Sequence, residues 1–261
     1  MQKLYVILLI GVISALMPLE ISAASYGWGY KKATDHQPPE VGKYKAILDK
    51  YNSIYLDPSG DKHVYLTFDN GYEAGFTEQI LDVLKKENVP ATFFLTGHYV
   101  EDKPDLVKRM LKEGHIIGNH SDTHRDFTKL SKEELKEDIE ILTNKLKKVD
   151  KDAVVQYVRP PKGTFNEQSL QWANELGYTH VFWSLAFVDW NEGQEKGWEY
   201  AYNQVIDQIH PGAIILMHTV SEDNADGLAP IIKELKKQGY KFKSLDDLML
   251  KNLLPKEVIG L

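Results

Sequence analysis

Past residue 62, short apolar runs alternate with longer segments whose apolar positions recur at three- and four-residue spacing. Runs rich in β-branched and aromatic residues predict strands at 64–68 (VYLTF), 91–95 (ATFFL), 115–118 (HIIG), 154–158 (VVQYV), 179–184 (THVFWS), 213–217 (AIILM) and 240–243 (YKFK). The segments between them carry helix punctuation. Pro104 stands where a helix would begin and Gly114 where it would end. Ser131 and Glu134 form a capping box, after which Leu135, Ile139, Leu142, Leu146 and Val149 mark one face of a long helix. Gly177 and Gly239 fit the positions just past helix ends, and Ser244 with Asp247 opens a last helical turn. Seven strands separated by helices predict parallel pairing, because each return crossover is helical. The expected fold is α/β and single-domain. A seven-strand relative of the β/α barrel fits this pattern as well as an open doubly wound sheet.

The first residues follow another pattern. A short basic start, Met1-Gln2-Lys3, leads into apolar sequence from Leu4 to Leu19, followed by small residues at Ile21-Ser22-Ala23-Ala24. This predicts a secretory signal peptide over 1–24, cleaved on export. The alternative is an uncleaved anchor, but the run is short for a span of about 20 residues. Residues 25–60 have weak periodicity, and their Tyr26, Trp28, Tyr30 and Pro38-Pro39 suggest an extended arm wrapped on the main domain. An aromatic lip that touches sugar is the other reading. The domain proper is expected over 61–250 and a tail over 251–261.

Composition narrows the function. The 261 residues contain no cysteine, which excludes disulfides, thiolate metal ligands and a lipidated cysteine at the signal. Any metal must therefore be held by His, Asp, Asn or Glu. The formal net charge of −7 is unchanged by loss of the signal, since Lys3 and Glu20 cancel. That disfavours nucleic acid as a partner and long-range capture of an anionic polymer, so glycan recognition would need local contacts. The mature chain is expected to be extracytoplasmic, off the membrane and monomeric.

In β/α barrels reactive groups collect just past the C-terminal ends of strands. Asp69 and Asn70 follow the first predicted strand, His120 and His124 the third, Arg159 the fourth, Asp189 and Trp190 the fifth, and His218 the sixth. His120 and His124, four residues apart, would face the same side of a helical turn and suit zinc, cobalt or nickel; unconnected surface histidines are the plain alternative. Asp69 can accept a proton from water or bind metal, or merely cap a helix. Asn70 can offer a neutral oxygen but cannot act as a base. Arg159-Pro160-Pro161-Lys162-Gly163 is a rigid turn whose guanidinium could hold a carboxylate in a bidentate pair and whose N–H groups could bind an oxyanion. His218 could protonate a leaving amine.

With these residues in order, the chain resembles the NodB-type polysaccharide deacetylases, carbohydrate esterase family 4, from residue 63 to about 249. Thr67-Phe68-Asp69-Asn70-Gly71 is similar to the family's T-F-D-D-G motif, His120-Ser121-x-x-His124 to H-S-x-x-H, Arg159-x-Pro161-x-Gly163 to the third motif, Asp189-Trp190 to the end of the fourth and Leu216-x-His218 to the fifth. The resemblance implies a distorted (β/α)7 barrel and hydrolysis of the acetamido group of an N-acetylated sugar. It assigns Asp69 as base, His120, His124 and the Asn70 position as ligands to a divalent metal (zinc, cobalt, manganese or magnesium), and Arg159 as orienter of the base. Lys162 and Gly163 fall at the oxyanion position, His218 matches the acid, and Leu216 and Trp190 match the wall around the acetyl methyl, with Asp189 beside them. Two positions depart from the family. Asn70 replaces an anionic ligand by a neutral one, which should weaken metal binding. Ala186 stands where the fourth motif has its first Asp, so the carboxylate that would tune His218 must come from elsewhere or be absent. The stretches TFDNGYE, RPPKGTF, WSLAFVDW and MHTVSEDNA resemble the branch that deacetylates N-acetylmuramic acid in peptidoglycan glycan strands on the way to muramic δ-lactam of the spore cortex. N-acetylglucosamine polymers are the alternative substrate, and a non-catalytic wall-binding module the alternative of another class.

Overall fold

The computed structural model describes residues 24–33, 35–191 and 193–253. The expected signal peptide lies outside these except for Ala24, as do residues 254–261 of the expected tail. In chain order the elements are β1 (Tyr26–Gly27), α1 (Tyr44–Lys50), β2 (His63–Asn70), α2 (Thr77–Glu87), β3 (Ala91–Leu95), α3 (Gly97–Asp102), α4 (Pro104–Lys112), β4 (Ile116–Asn119), α5 (Lys132–Val149), β5 (Tyr157–Val158), β6 (Thr164–Phe165), α6 (Glu167–Glu175), β7 (Thr179–His180), α7 (Trp198–Gln208), β8 (Ala213–His218), α8 (Glu222–Lys237), β9 (Lys241–Phe242) and α9 (Leu245–Leu253).

β2 to β5 and β7 to β9 form one sheet in the order β7-β5-β4-β3-β2-β8, with β9 also on β2, and all its ladders are parallel. Its two ends meet through a single bridge, Leu185↔Ile215, instead of a ladder. The result is a distorted, partly open barrel, as expected, and not a flat doubly wound sheet.

Strand alternation sorts the side chains. Val64, Leu66 and Phe68 of β2 face outward and pack with Ile80, Leu84, Ile231 and Leu235 of α2 and α8. Tyr65 of β2 clusters with Phe94, Tyr157, Val181 and Ile214 inside the barrel. Seven of the eight β2 residues are buried, which is why this strand reads as a near-continuous apolar run. The helix punctuation acts as predicted: Pro104 opens α4, the Ser131–Glu134 capping box opens α5, and Leu135, Ile139, Leu142 and Leu146 are buried.

Several boundaries move. The expected strand at 154–158 pairs only at Tyr157–Val158, since the ladder to the next strand starts with the Thr179 N–H on Gln156 O and Val154 stays in solvent. The expected strand at 179–184 stops at His180. Beyond it successive N–H groups go to three different partners: Val181 to Val158, Phe182 to Ile54 and Ser184 to Ile214. α9 runs to Leu253, past the expected boundary at 250. Among the described residues no helix is long and apolar enough to cross a membrane.

The N-terminal arm docks on the domain. β1 pairs antiparallel with β6, Tyr26 opposite Phe165, and the Trp28 ring lies 4.9 Å from that of Phe182. The Trp28 indole donates to Trp183 O at 3.0 Å. The arm is a brace behind the barrel's C-terminal rim; its aromatics do not line the cavity there.

Candidate active site

The C-terminal ends of the strands open on a cavity of about 880 Å³, within the usual range for a small-ligand pocket. Its walls include Asp69, His120, His124, Lys162, Gly163, Trp183, Trp190, Leu216 and His218. The structure therefore brings together most of the residues singled out from sequence.

Asp69 and His218 are Cα partners on the adjacent strands β2 and β8. Arg159, fully buried, donates to Asp69 Oδ1 at 2.8 Å. The pair is not bidentate, as the sequence suggested. The other guanidinium nitrogens donate to the Thr67 hydroxyl at 2.9 Å and to Val181 O at 3.0 Å, and the plane lies over the Phe94 ring. Arg159 is thus spent on fixing Asp69. Burial pushes the Asp69 carboxyl up, but Arg159, His120 and His218 outweigh it and hold it below the usual carboxylate range.

His218 has the opposite bias. Burial disfavours its charge, and Asp189 reverses that, so its pKa lies above the ordinary imidazole value. Asp189 Oδ1 is 2.7 Å from His218 Nδ1, and Asp189 Oδ2 accepts the His218 backbone N–H at 2.8 Å. This corrects two expectations. Asp189 is no substrate contact: its side chain is 1% exposed, turned onto His218, and absent from the cavity wall. The carboxylate that raises His218 is Asp189 itself. With Nδ1 engaged, Nε2 of His218 is the nitrogen free to act. Trp190 meets the imidazole edge-on at 5.4 Å, and Leu216 lines the same wall.

The histidine pair converges by a different route from the helical turn expected. Residues 120–124 are not helical; Ser121 and His124 have φ of 72° and 57°, and this left-handed turn brings the ring centroids to 5.0 Å. His120 Nδ1 lies 2.8 Å from Arg159 O, which leaves Nε2, 3.5 Å from Asp69 Oδ2, with its lone pair. Burial lowers both imidazoles, His124 to about 4, so both are neutral and able to ligate.

In the third motif, Gly163 N–H is already bonded to Pro160 O at 3.0 Å, so Gly163 is not the oxyanion donor. Its role is room: a Cβ there would meet the Trp183 ring at 2.9 Å, at a φ of +65°. Lys162, at φ 59°, makes no backbone N–H bond among the described residues, which leaves its N–H for an oxyanion.

Four supporting residues were given no role by the sequence reading. Asp138 of α5 is buried and accepts from the Asp122 N–H at 2.9 Å and the Thr123 hydroxyl at 2.6 Å, pinning the loop between the two histidines. Its signal was present: an acid on the otherwise apolar face of α5. Asn119 ties the same loop to α5 through Ser121 N–H and Ile139 O. Asn224, fully buried, donates to Asp189 Oδ2 at 2.6 Å and to His218 O at 2.9 Å. Thr67 bridges Arg159 to Ile215 O.

The arrangement is a carboxylate held anionic and an imidazole biased toward its charged form facing one pocket, beside an imidazole pair. Residues 57–181 match the family described as polysaccharide deacetylase. The peptidoglycan-N-acetylmuramic acid deacetylase PdaA of Bacillus subtilis is 51% identical over 223 residues, 85% of each chain. The chain belongs to the polysaccharide deacetylase family. It is a hydrolase that acts on amide bonds. The solved structure of Bacillus subtilis PdaA, a family 4 carbohydrate esterase, superposes with a TM-score of 0.85 at 49% identity, over 87% of this chain and 98% of that one. A peptidoglycan-N-acetylglucosamine deacetylase of Bacillus cereus is 37% identical over 202 residues, 76% of this chain and 72% of its own.

Polysaccharide deacetylases are in general metal-dependent, so the donor set matters. Among the described residues no group of three or more His, Asp or Glu side chains is arranged to hold a metal. Two neutral imidazoles are present. Asn70 is fully buried and does not line the cavity; its Nδ2 donates to the Thr219 hydroxyl at 2.7 Å, while its Oδ1 is buried without a hydrogen-bond partner. The two imidazoles fit a divalent cation held by nitrogen; Asn70, on the outward face of β2 with Leu66 and Phe68 and off the cavity wall, does not join them, which corrects the expectation that it is a ligand.

Proposed function

We propose that this chain removes the acetyl group from N-acetylmuramic acid in peptidoglycan glycan strands, outside the cytoplasm, on the way to the muramic δ-lactam of the spore cortex. The observation that carries the chemistry is the pairing of Asp69 with His218 across β2 and β8, one held anionic by Arg159 and the other held cationic by Asp189. The choice of sugar is supported by the muramic acid deacetylase that matches 85% of the chain.

In this reading Asp69 takes a proton from water, and the water oxygen attacks the acetamide carbonyl carbon. The Lys162 N–H stabilises the oxyanion of the tetrahedral intermediate. His218 Nε2 delivers its proton to the departing nitrogen as the C–N bond breaks, giving acetate and a free amine. His120 and His124 would hold a divalent cation. When bound, such an ion supplies a Lewis acid for the carbonyl and the water. The freed amine lies beside the lactyl carboxyl, which is the pair that a δ-lactam joins.

The test is acetate release from peptidoglycan glycan strands. The wild type is expected to release acetate and Asp69→Asn to be slower by about 10²–10⁴-fold. Equal rates would remove Asp69 from the role of base. Wall binding without acetate release by the wild type would favour a non-catalytic module.

A further inference from the structure

We propose that the Lys162 ammonium binds the lactyl carboxylate of muramic acid, making Lys162 the residue that selects this sugar over glucosamine. The inference rests on the muramic acid reading above and adds a residue to it.

Muramic acid carries its acetamido group on C2 and its lactyl ether on C3, the adjacent ring carbon; glucosamine lacks the lactyl group. A residue whose backbone N–H meets the acetamide oxygen therefore has its side chain beside the position where the lactyl carboxylate must lie. Lys162 is that residue. Its N–H is free of backbone partners, and the residue is exposed and lines the cavity.

His218 also carries positive charge in the cavity, but its Nδ1 is held by Asp189 and its Nε2 is the nitrogen assigned to the departing amine; the remaining charges are committed. Asp69 is tied to Arg159 at 2.8 Å, and Asp122 lies 2.7 Å from Lys145 on its far side. Arg159 is fully buried behind Asp69. Lys162 makes no ion pair with any carboxylate among the described residues. Apart from His218, the wall made by Trp183, Trp190, Leu216 and Val220 is aromatic and aliphatic and offers an anion no further partner. The backbone is built to keep Lys162 in this position: the residue is left-handed at φ 59°, locked between Pro161 and a Gly163 whose carbonyl accepts the Trp28 N–H at 2.8 Å. The chain carries a formal net charge of −7, so an uncommitted cation at the pocket is a local feature against the overall field.

The test compares kcat/KM on muramic acid oligomers carrying the free lactyl carboxylate with the same oligomers as lactyl methyl esters. The wild type should prefer the acid by about fivefold to tenfold, in the range of one charge-assisted hydrogen bond. Added salt should shrink that ratio. In Lys162→Met the ratio should fall to about one, whatever the absolute rate, and Lys162→Arg should retain it. A wild type that hydrolyses acid and ester equally overturns the proposal without use of any variant, as does a Lys162→Met enzyme that keeps the preference. A wild type inactive on both muramic substrates but active on N-acetylglucosamine oligomers overturns the muramic acid reading itself, and this proposal with it.

Discussion

Asp69 and His218 are neighbours on one sheet edge, yet each is held in the charge state that hydrolysis needs. The same groups set the pH limits. Because His218 sits above the ordinary imidazole value, its proton is present below that raised value and lost as pH rises through it. Activity should therefore fall on the alkaline side as His218 deprotonates, and stability from the Asp189–His218 pair should fade over the same interval. Asp189→Asn removes the charge that raises His218, so the alkaline limb of kcat/KM should move to lower pH, toward or below 6.5. An unmoved limb would place the acid elsewhere. The acid limb should lie below the ordinary carboxylate range, since Asp69 is held low. At this scale the reactive residues were legible because their types and order are chemical. The partnership of Asp189 with His218 was not, because the 29 residues that separate them give no hint of a 2.7 Å contact.

The loop between His120 and His124 shows what elements add. Its spacing looked helical, but it is a left-handed turn held from outside by Asn119 and by Asp138 of α5. Local pattern predicted that the imidazoles would face one another and misread how, because a buried acid 14 residues away from His124 decides the loop's shape. Asp138→Ala should leave two N–H and O–H donors unpartnered and loosen the pair. Calorimetric zinc titration should show affinity falling by about 10–100-fold, as for other supports of ligating residues; unchanged affinity would deny Asp138 this role. The arm acts on the other side of the pocket. The Trp28 ring packs on Phe182 and its indole donates to Trp183 O, so Trp28→Ala should cost about 2 kcal/mol or more in unfolding free energy, read by denaturant titration. A cost near zero would mean that the arm is not docked in solution.

Taken whole, the molecule is a parallel barrel closed by one bridge, with its chemistry at the strand ends. The alternation of strands and helices was legible over most of its length, because apolar periodicity follows directly from burial on two layers. The short strands β5 and β7 were not bounded correctly, since their ends depend on which neighbour each N–H finds. The central claim, that a free amine is made on muramic acid, is tested most directly by digesting peptidoglycan glycan strands with the protein and locating the new amine by mass spectrometry. The account predicts loss of acetyl from N-acetylmuramic acid residues, with N-acetylglucosamine left intact. Amines found on glucosamine alone would contradict it.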